Sequence, residues 1–182
     1  MFKRGCKTKI ISFIFLATFM LTFLSSCGKS EEEYTKELSD FTKEVATLAV
    51  RSEEVGSEFV DVWHEAIFED YVFVDETMYT DFNDALAAQN DFFETEGNFS
   101  TIENQEKKVK ESYKAIKENK VASMNDEFDS VKEFYLKTIE FKDLCINPTG
   151  SYDSYSESYR DKQAEVSAKI SSLTAELDID EE

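Results

Sequence analysis

The sequence predicts an all-α protein, an up-and-down antiparallel helical bundle with a long first helix. Two observations carry this. Apolar residues recur at alternating steps of three and four over long stretches, the spacing of one helix face. No stretch shows the strict alternation of a half-buried strand over a useful length.

The first segment is a targeting signal rather than part of the bundle. Lys3, Arg4, Lys7 and Lys9 precede a run from Ile10 to Phe23 made only of apolar residues, Ser and Thr. A basic start followed by a short apolar stretch is the pattern of an export signal. A membrane-crossing helix needs roughly 20 apolar residues, and this run falls short. Leu24, Ser25, Ser26 and Cys27 then resemble the lipobox of bacterial lipoproteins. That resemblance implies removal of residues 1–26 and attachment of a diacylglyceryl group to Cys27. Two acyl chains anchor a protein stably where one does not. Residues 27–30 become a lipid-bearing tether, and the expected location is the outer face of the bacterial cell membrane.

Residues 31–177 form the expected bundle domain. Ser30 and Glu33 make a capping box that opens the first helix. Tyr34, Leu38, Phe41, Val45, Leu48, Ser52, Val55, Phe59, Val62 and Ala66 follow at heptad spacing, with Ser52 the one polar lapse. The helix should run to about residue 69, with Gly56 permitting close approach of a neighbour or a slight bend. Residues 70–80 break the pattern and read as a loop or an irregular helical extension. A shorter helix follows over about 81–93, with Phe82, Leu86 and Phe93 on one side, and Gly97 and Asn98 punctuate.

Ser100 and Glu103 read as a second capping box, opening a helix to about Asn119 that buries Ile102, Val109, Tyr113 and Ile116. A helix from about Asn125 to Cys145 turns Phe128, Val131, Tyr135, Ile139 and Phe141 inward. Pro148 and Gly150 form a turn. The last helix, about 151–177, carries Tyr152, Tyr155, Tyr159, Gln163, Val166, Ile170, Leu173 and Leu177 at heptad spacing. Residues 178–182 read as a frayed acidic tail. Short connections make each helix antiparallel to the next.

Charge and composition bound the function. Processing removes four basic residues and no acidic one, leaving 16 Lys+Arg against 39 Asp+Glu and a formal net charge of −23. Such a chain repels phosphate, so nucleic acid is not an expected partner and the lipid must do the anchoring. With 14% aromatic residues the chain is too rich in bulky apolar groups for acidity alone to keep it unfolded. Cys6 leaves with the signal and Cys27 is lipidated, so Cys145 survives as a single thiol, read as a buried structural residue.

Chemistry is sparse. Nucleophilic hydrolases need a base held by a third group, and the chain has one His, His64, a position off the heptad core. A transition-metal site would recruit more His or Cys, and the acidic stretches lack the alternating ligands and central Gly of a calcium loop. The expectation is no cofactor, no metal and no catalytic residue. Phe59, Trp63, Phe68, Tyr71, Phe73, Tyr79 and Phe82 form the densest feature. Two readings of it stay open: a hydrophobic plug closing the bundle end, or an exposed patch for a protein partner, with Tyr71, Phe73 and Tyr79 as the candidate binding residues.

Trp63 to Phe68, and Ile146 to Ser151 leading into the Tyr- and Ser-rich start of the last helix, resemble a group of small helical surface lipoproteins of Gram-positive bacteria. The resemblance implies an exported helical protein and brings no activity with it. The expectation is a membrane-anchored, non-enzymatic interaction module whose partner is a membrane-proximal protein. The alternative is a bundle that binds a small apolar or cationic ligand between its helices.

Overall fold

The computed structural model describes residues 29–179. The export signal and Cys27 lie outside the described residues. The chain is an all-α bundle with a long first helix, as its periodicity predicts. Helix α1 spans Glu31–Phe68, 38 residues and about 57 Å at 1.5 Å per residue. Ser30 caps it as expected: its hydroxyl accepts from the Glu33 N–H and the Glu33 carboxylate accepts from the Ser30 N–H, both at 3.2 Å. Glu31, Glu32 and Glu33 place negative charge on the positive end of the helix dipole. Lys29 pairs with Glu37, tying the residues just before α1 to the helix. The heptad seam is buried from Tyr34 through Val62, and Ala66 is half-buried.

Residues 70–80 are neither loop nor helical extension. They form a β-hairpin of β1 (Val72–Val74) and β2 (Thr77–Tyr79), antiparallel, with Val72 opposite Tyr79, Phe73 opposite Met78 and Val74 opposite Thr77. The strands are three residues each, too short for an alternation to register in sequence. Helix α2 (Phe82–Glu96) is capped by Asp81, whose carboxylate accepts from the Asn83 and Asp84 N–H groups. It buries Ala85, Gln89 and Phe93, and Phe82 is turned outward, contrary to the sequence expectation. Gly97, at φ +79, ends α2, and α3 (Asn98–Glu118) begins immediately. The expected Ser100–Glu103 capping box does not form, because Ser100 is already inside the helix and its hydroxyl donates to the Gly97 carbonyl. A short 3-10 turn (Ala122–Met124) leads into α4 (Asn125–Cys145), and Ser151 caps α5 (Tyr152–Glu176). Asp178 at φ +50 and an N–H···O bond from Ile179 to Thr174 close α5 in a Schellman geometry, with Ile179 against the core. The chain therefore does not fray at 178.

Contacts along α1 fix the direction of every other helix. Phe93 meets Phe59 edge-on at 5.2 Å, Gln105 donates to the Glu44 carbonyl, and the Tyr34 hydroxyl donates to the Ile116 carbonyl. Helices α2 and α3 thus run in one sense, together antiparallel to α1, as one arm broken at Gly97. Not every helix reverses the one before it, because a one-residue junction redirects the chain without turning it back. Helix α4 runs with α1, Phe41 meeting Tyr135 and Gly56 meeting Cys145. Helix α5 runs against both, its Tyr159 hydroxyl donating to the Glu53 carbonyl. Lys169–Glu133, Lys137–Glu165 and Lys162–Glu140 pair α5 with α4 in descending register. The result is an up-and-down bundle of four arms, α1, α2 with α3, α4 and α5, with two poles. The hairpin and the turn at 146–151 occupy one, and the start of α1 and end of α5 the other.

Several buried polar groups are accommodated locally, while the buried Thr138 and Tyr155 hydroxyls have no partner among the described residues. Thr42, beside the seam, and Ser52, on it, donate to the Leu38 and Leu48 carbonyls at 2.7 Å, which explains how the heptad tolerates its polar lapse. Lys142 on α4 is buried and pairs with Glu106 of α3 at 3.3 Å and with Asp143 at 2.5 Å. Burial pushes the Glu106 carboxyl up, yet the Lys110 hydrogen bond and the Lys142 charge outweigh it and hold the group below its usual value. Burial pushes the Cys145 thiol up, with the Glu53 charge adding to it, so the thiol stays protonated and structural as expected.

Candidate functional site

The hairpin pole is where apolar side chains meet solvent. Asp75 and Glu76 join the strands with φ of +46° and +62°, the positive values that a two-residue hairpin turn requires at both central positions. Such turns ordinarily carry Asn-Gly or Asp-Gly. An Asp-Glu pair gives no such signal, so the hairpin was not legible from its turn. Val72 and Val74 point inward, and with Val62 and Ala85 they form a small second core under the hairpin. Phe73 therefore points outward, and Met78 opposite it shares that face.

The aromatic group splits accordingly. Phe59 and Trp63 are core, Trp63 packing on Tyr155. Tyr79 is half-buried against the small core. Tyr71 and Phe73 meet edge-on at 5.5 Å and are 50% and 57% exposed. Phe68, Met78 and Phe82 are also exposed. Of the three candidate residues, two thus lie on the open face and the third lies partly beneath it. His64 is exposed and sits among rings, 4.9 Å from Phe68 and 5.7 Å from Tyr152. The exposed rings thus form two groups, Tyr71 with Phe73 on the hairpin, and His64 with Phe68 against the half-buried Tyr152 where the end of α1 meets the start of α5.

A second property of this pole is visible in the sequence once the fold is known. From Ser52 to Glu106 the chain contains no Lys or Arg and 16 Asp or Glu. These residues build the far half of α1, the hairpin, α2 and the start of α3, and of their carboxylates Glu106 alone forms an ion pair with a described residue, so the aromatic face is set in an acidic field. Two open-sided grooves flank the hairpin. One, of about 490 Å³, lies between β2 and α2 and is edged by Asp75, Asp84, Asp91 and Glu96. The other, of about 470 Å³, lies between β1, α1 and α2, with Glu54, Glu58 and Asp75 on its rim. Gln89 reaches into the second groove from α2 while being only 5% exposed.

Among the described residues no group of three or more His, Cys, Asp or Glu is placed to hold a metal ion, and no helix is long and apolar enough to cross a membrane. The side chains assembled at the hairpin pole can act by aromatic contact, by charge and by shape. No family model, curated protein or solved structure matches the chain.

Proposed function

We propose that the protein is a bacterial surface lipoprotein, anchored through a lipid on Cys27, whose bundle presents the hairpin pole to a partner protein as a non-enzymatic interaction module. The observation that carries the reading is the division of labour within the hairpin. Val72 and Val74 hold it to the bundle while Tyr71, Phe73 and Met78 are left to solvent on the opposite face. A single exposed apolar residue is ordinary, but a contiguous aromatic patch on a rigid support is the composition of a binding hot spot. Helix α1 separates that patch from the tether by about 57 Å. The partner is expected to be a membrane-proximal protein, bound at the end of the bundle away from the tether.

The anchor is tested by metabolic labelling with a fatty acid. Cys27→Ala is expected to abolish the label, and label persisting in that variant would place the acceptor elsewhere. The surface is tested with Tyr71→Ser combined with Phe73→Ser. These exposed changes should leave the melting temperature within about 2 °C of the parent while removing a protein cross-linked to the parent on intact cells. A drop of many degrees would assign both side chains to the core and end the interaction reading.

A further inference from the structure

We infer that the groove between α1, β1 and α2 takes an extended basic segment of a partner protein, laid along the open edge of β1. The inference rests on the hairpin pole being a partner surface and names the chemistry of what that surface takes.

Three features of the groove converge. The first is main-chain geometry. The two-residue turn closes on the pair Val74 and Thr77, and hydrogen-bonded and non-hydrogen-bonded pairs alternate along an antiparallel ladder. Phe73 and Met78 are then the pair whose main-chain groups turn away from each other. Phe73 also lines the groove, and its N–H and C=O, turned away from β2, lie on the edge of β1 that an added strand can pair with.

The second feature is Gln89. Its side chain is nearly fully buried, lines the groove from the α2 side, and makes no hydrogen bond to any described residue. A carboxamide has both a donor and an acceptor, the same pairing set as a peptide group, so Gln89 can take one main-chain amide of a segment lying between it and β1.

Charge is the third. Glu54, Glu58 and Asp75 stand on the rim, form no ion pair with a described residue, and have no Lys, Arg or His among the groove residues to balance them. The floor between them is apolar, from Val62, Phe92 and Phe93. An extended chain sends successive side chains to opposite sides. A segment alternating basic and apolar residues would put cations on the rim and methyl groups on the floor.

The test uses the exported chain, residues 28–182, and a fluorescently labelled short synthetic peptide of alternating Lys and Val, followed by anisotropy. Saturable binding is expected, weakened roughly tenfold by Gln89→Leu, the worth of one buried hydrogen bond. Glu54→Gln with Glu58→Gln should weaken it by a similar factor and flatten its salt dependence. Both carboxylates are exposed, so this pair keeps the test valid if Gln89→Leu disturbs folding. No saturable binding overturns the inference. So does equal binding of an all-Lys peptide with no effect of Gln89→Leu, which would reduce the groove to general attraction by an acidic surface. Displacement by spermine at the peptide's own affinity would assign the groove to a small cation instead. If the peptide fails to bind while Tyr71→Ser with Phe73→Ser still removes the cellular cross-link, the groove inference falls and the aromatic surface stands. If the cross-link also survives those changes, both fall.

Discussion

Phe59→Ala is expected to destabilise the bundle by about 3–5 kcal/mol, measured by urea unfolding of residues 28–182. Phe59 is fully buried on the α1 seam and stands edge-on to Phe93, which in turn packs edge-on against Phe99 across the Gly97 junction. Removing the ring opens a cavity where α2 passes into α3. The redirected arm has only a one-residue connection there, so it has little freedom to collapse into the space. A change within about 0.5 kcal/mol would place Phe59 at the surface and shift the whole seam by a step.

Gly56→Val is the second large effect, expected to cost about 3 kcal/mol even though Gly is a poor helix former. A β-carbon at position 56 would come within 2.6 Å of both the Cys145 sulfur and the Tyr159 ring. Neither can retreat, since Cys145 is fully buried and Tyr159 is held by its hydroxyl on the Glu53 carbonyl. Helices α1, α4 and α5 meet at this point, and Gly56 is what lets them approach. Gly56→Ala should show the same sign in smaller amount. Adding Cys145→Ala should restore part of the loss in thermal unfolding. Absence of any rescue would mean that the contact with Cys145 is not what constrains position 56.

What the sequence made legible follows from how repetitive each signal is. The α1 seam repeats one physical rule over ten positions, from Tyr34 to Ala66, and a rule stated that often survives a single exception such as Ser52. Ser30 with Glu33 gave the start of α1 because both partners of a capping box lie within one turn. Ser100 and Glu103 match the same spacing and cap nothing, since Gly97 had already set the helix in motion and the local pattern could not know it. The hairpin was missed because its signal is three residues per strand and its turn uses Asp and Glu where Gly and Asn are usual. At the candidate surface the residues could be named but not oriented. Whether Tyr71 or Val72 faces inward is a matter of strand phase, and the phase is set by Val62 and Ala85 on other elements. Gln89 was invisible for a related reason, a polar residue whose burial depends on packing between elements rather than on its neighbours in sequence.

The break at Gly97 and the basic-free stretch before Lys107 divide the molecule's charge as well as its helices. No Lys or Arg stands between Ser52 and Glu106, whereas around the start of α1 and the end of α3 Lys29, Lys36, Lys114, Lys117 and Lys120 are interspersed with Glu31, Glu32, Glu33, Glu37, Glu118, Asp126 and Glu127, and Lys29 and Lys114 pair with Glu37 and Glu118. The two ends therefore differ in how their carboxylates are balanced, at one by neighbouring ammonium groups and at the other by ions from solution. Repulsion among the carboxylates of the hairpin end is screened over about 8 Å at physiological salt, so that end should gain more stability from added salt than the other.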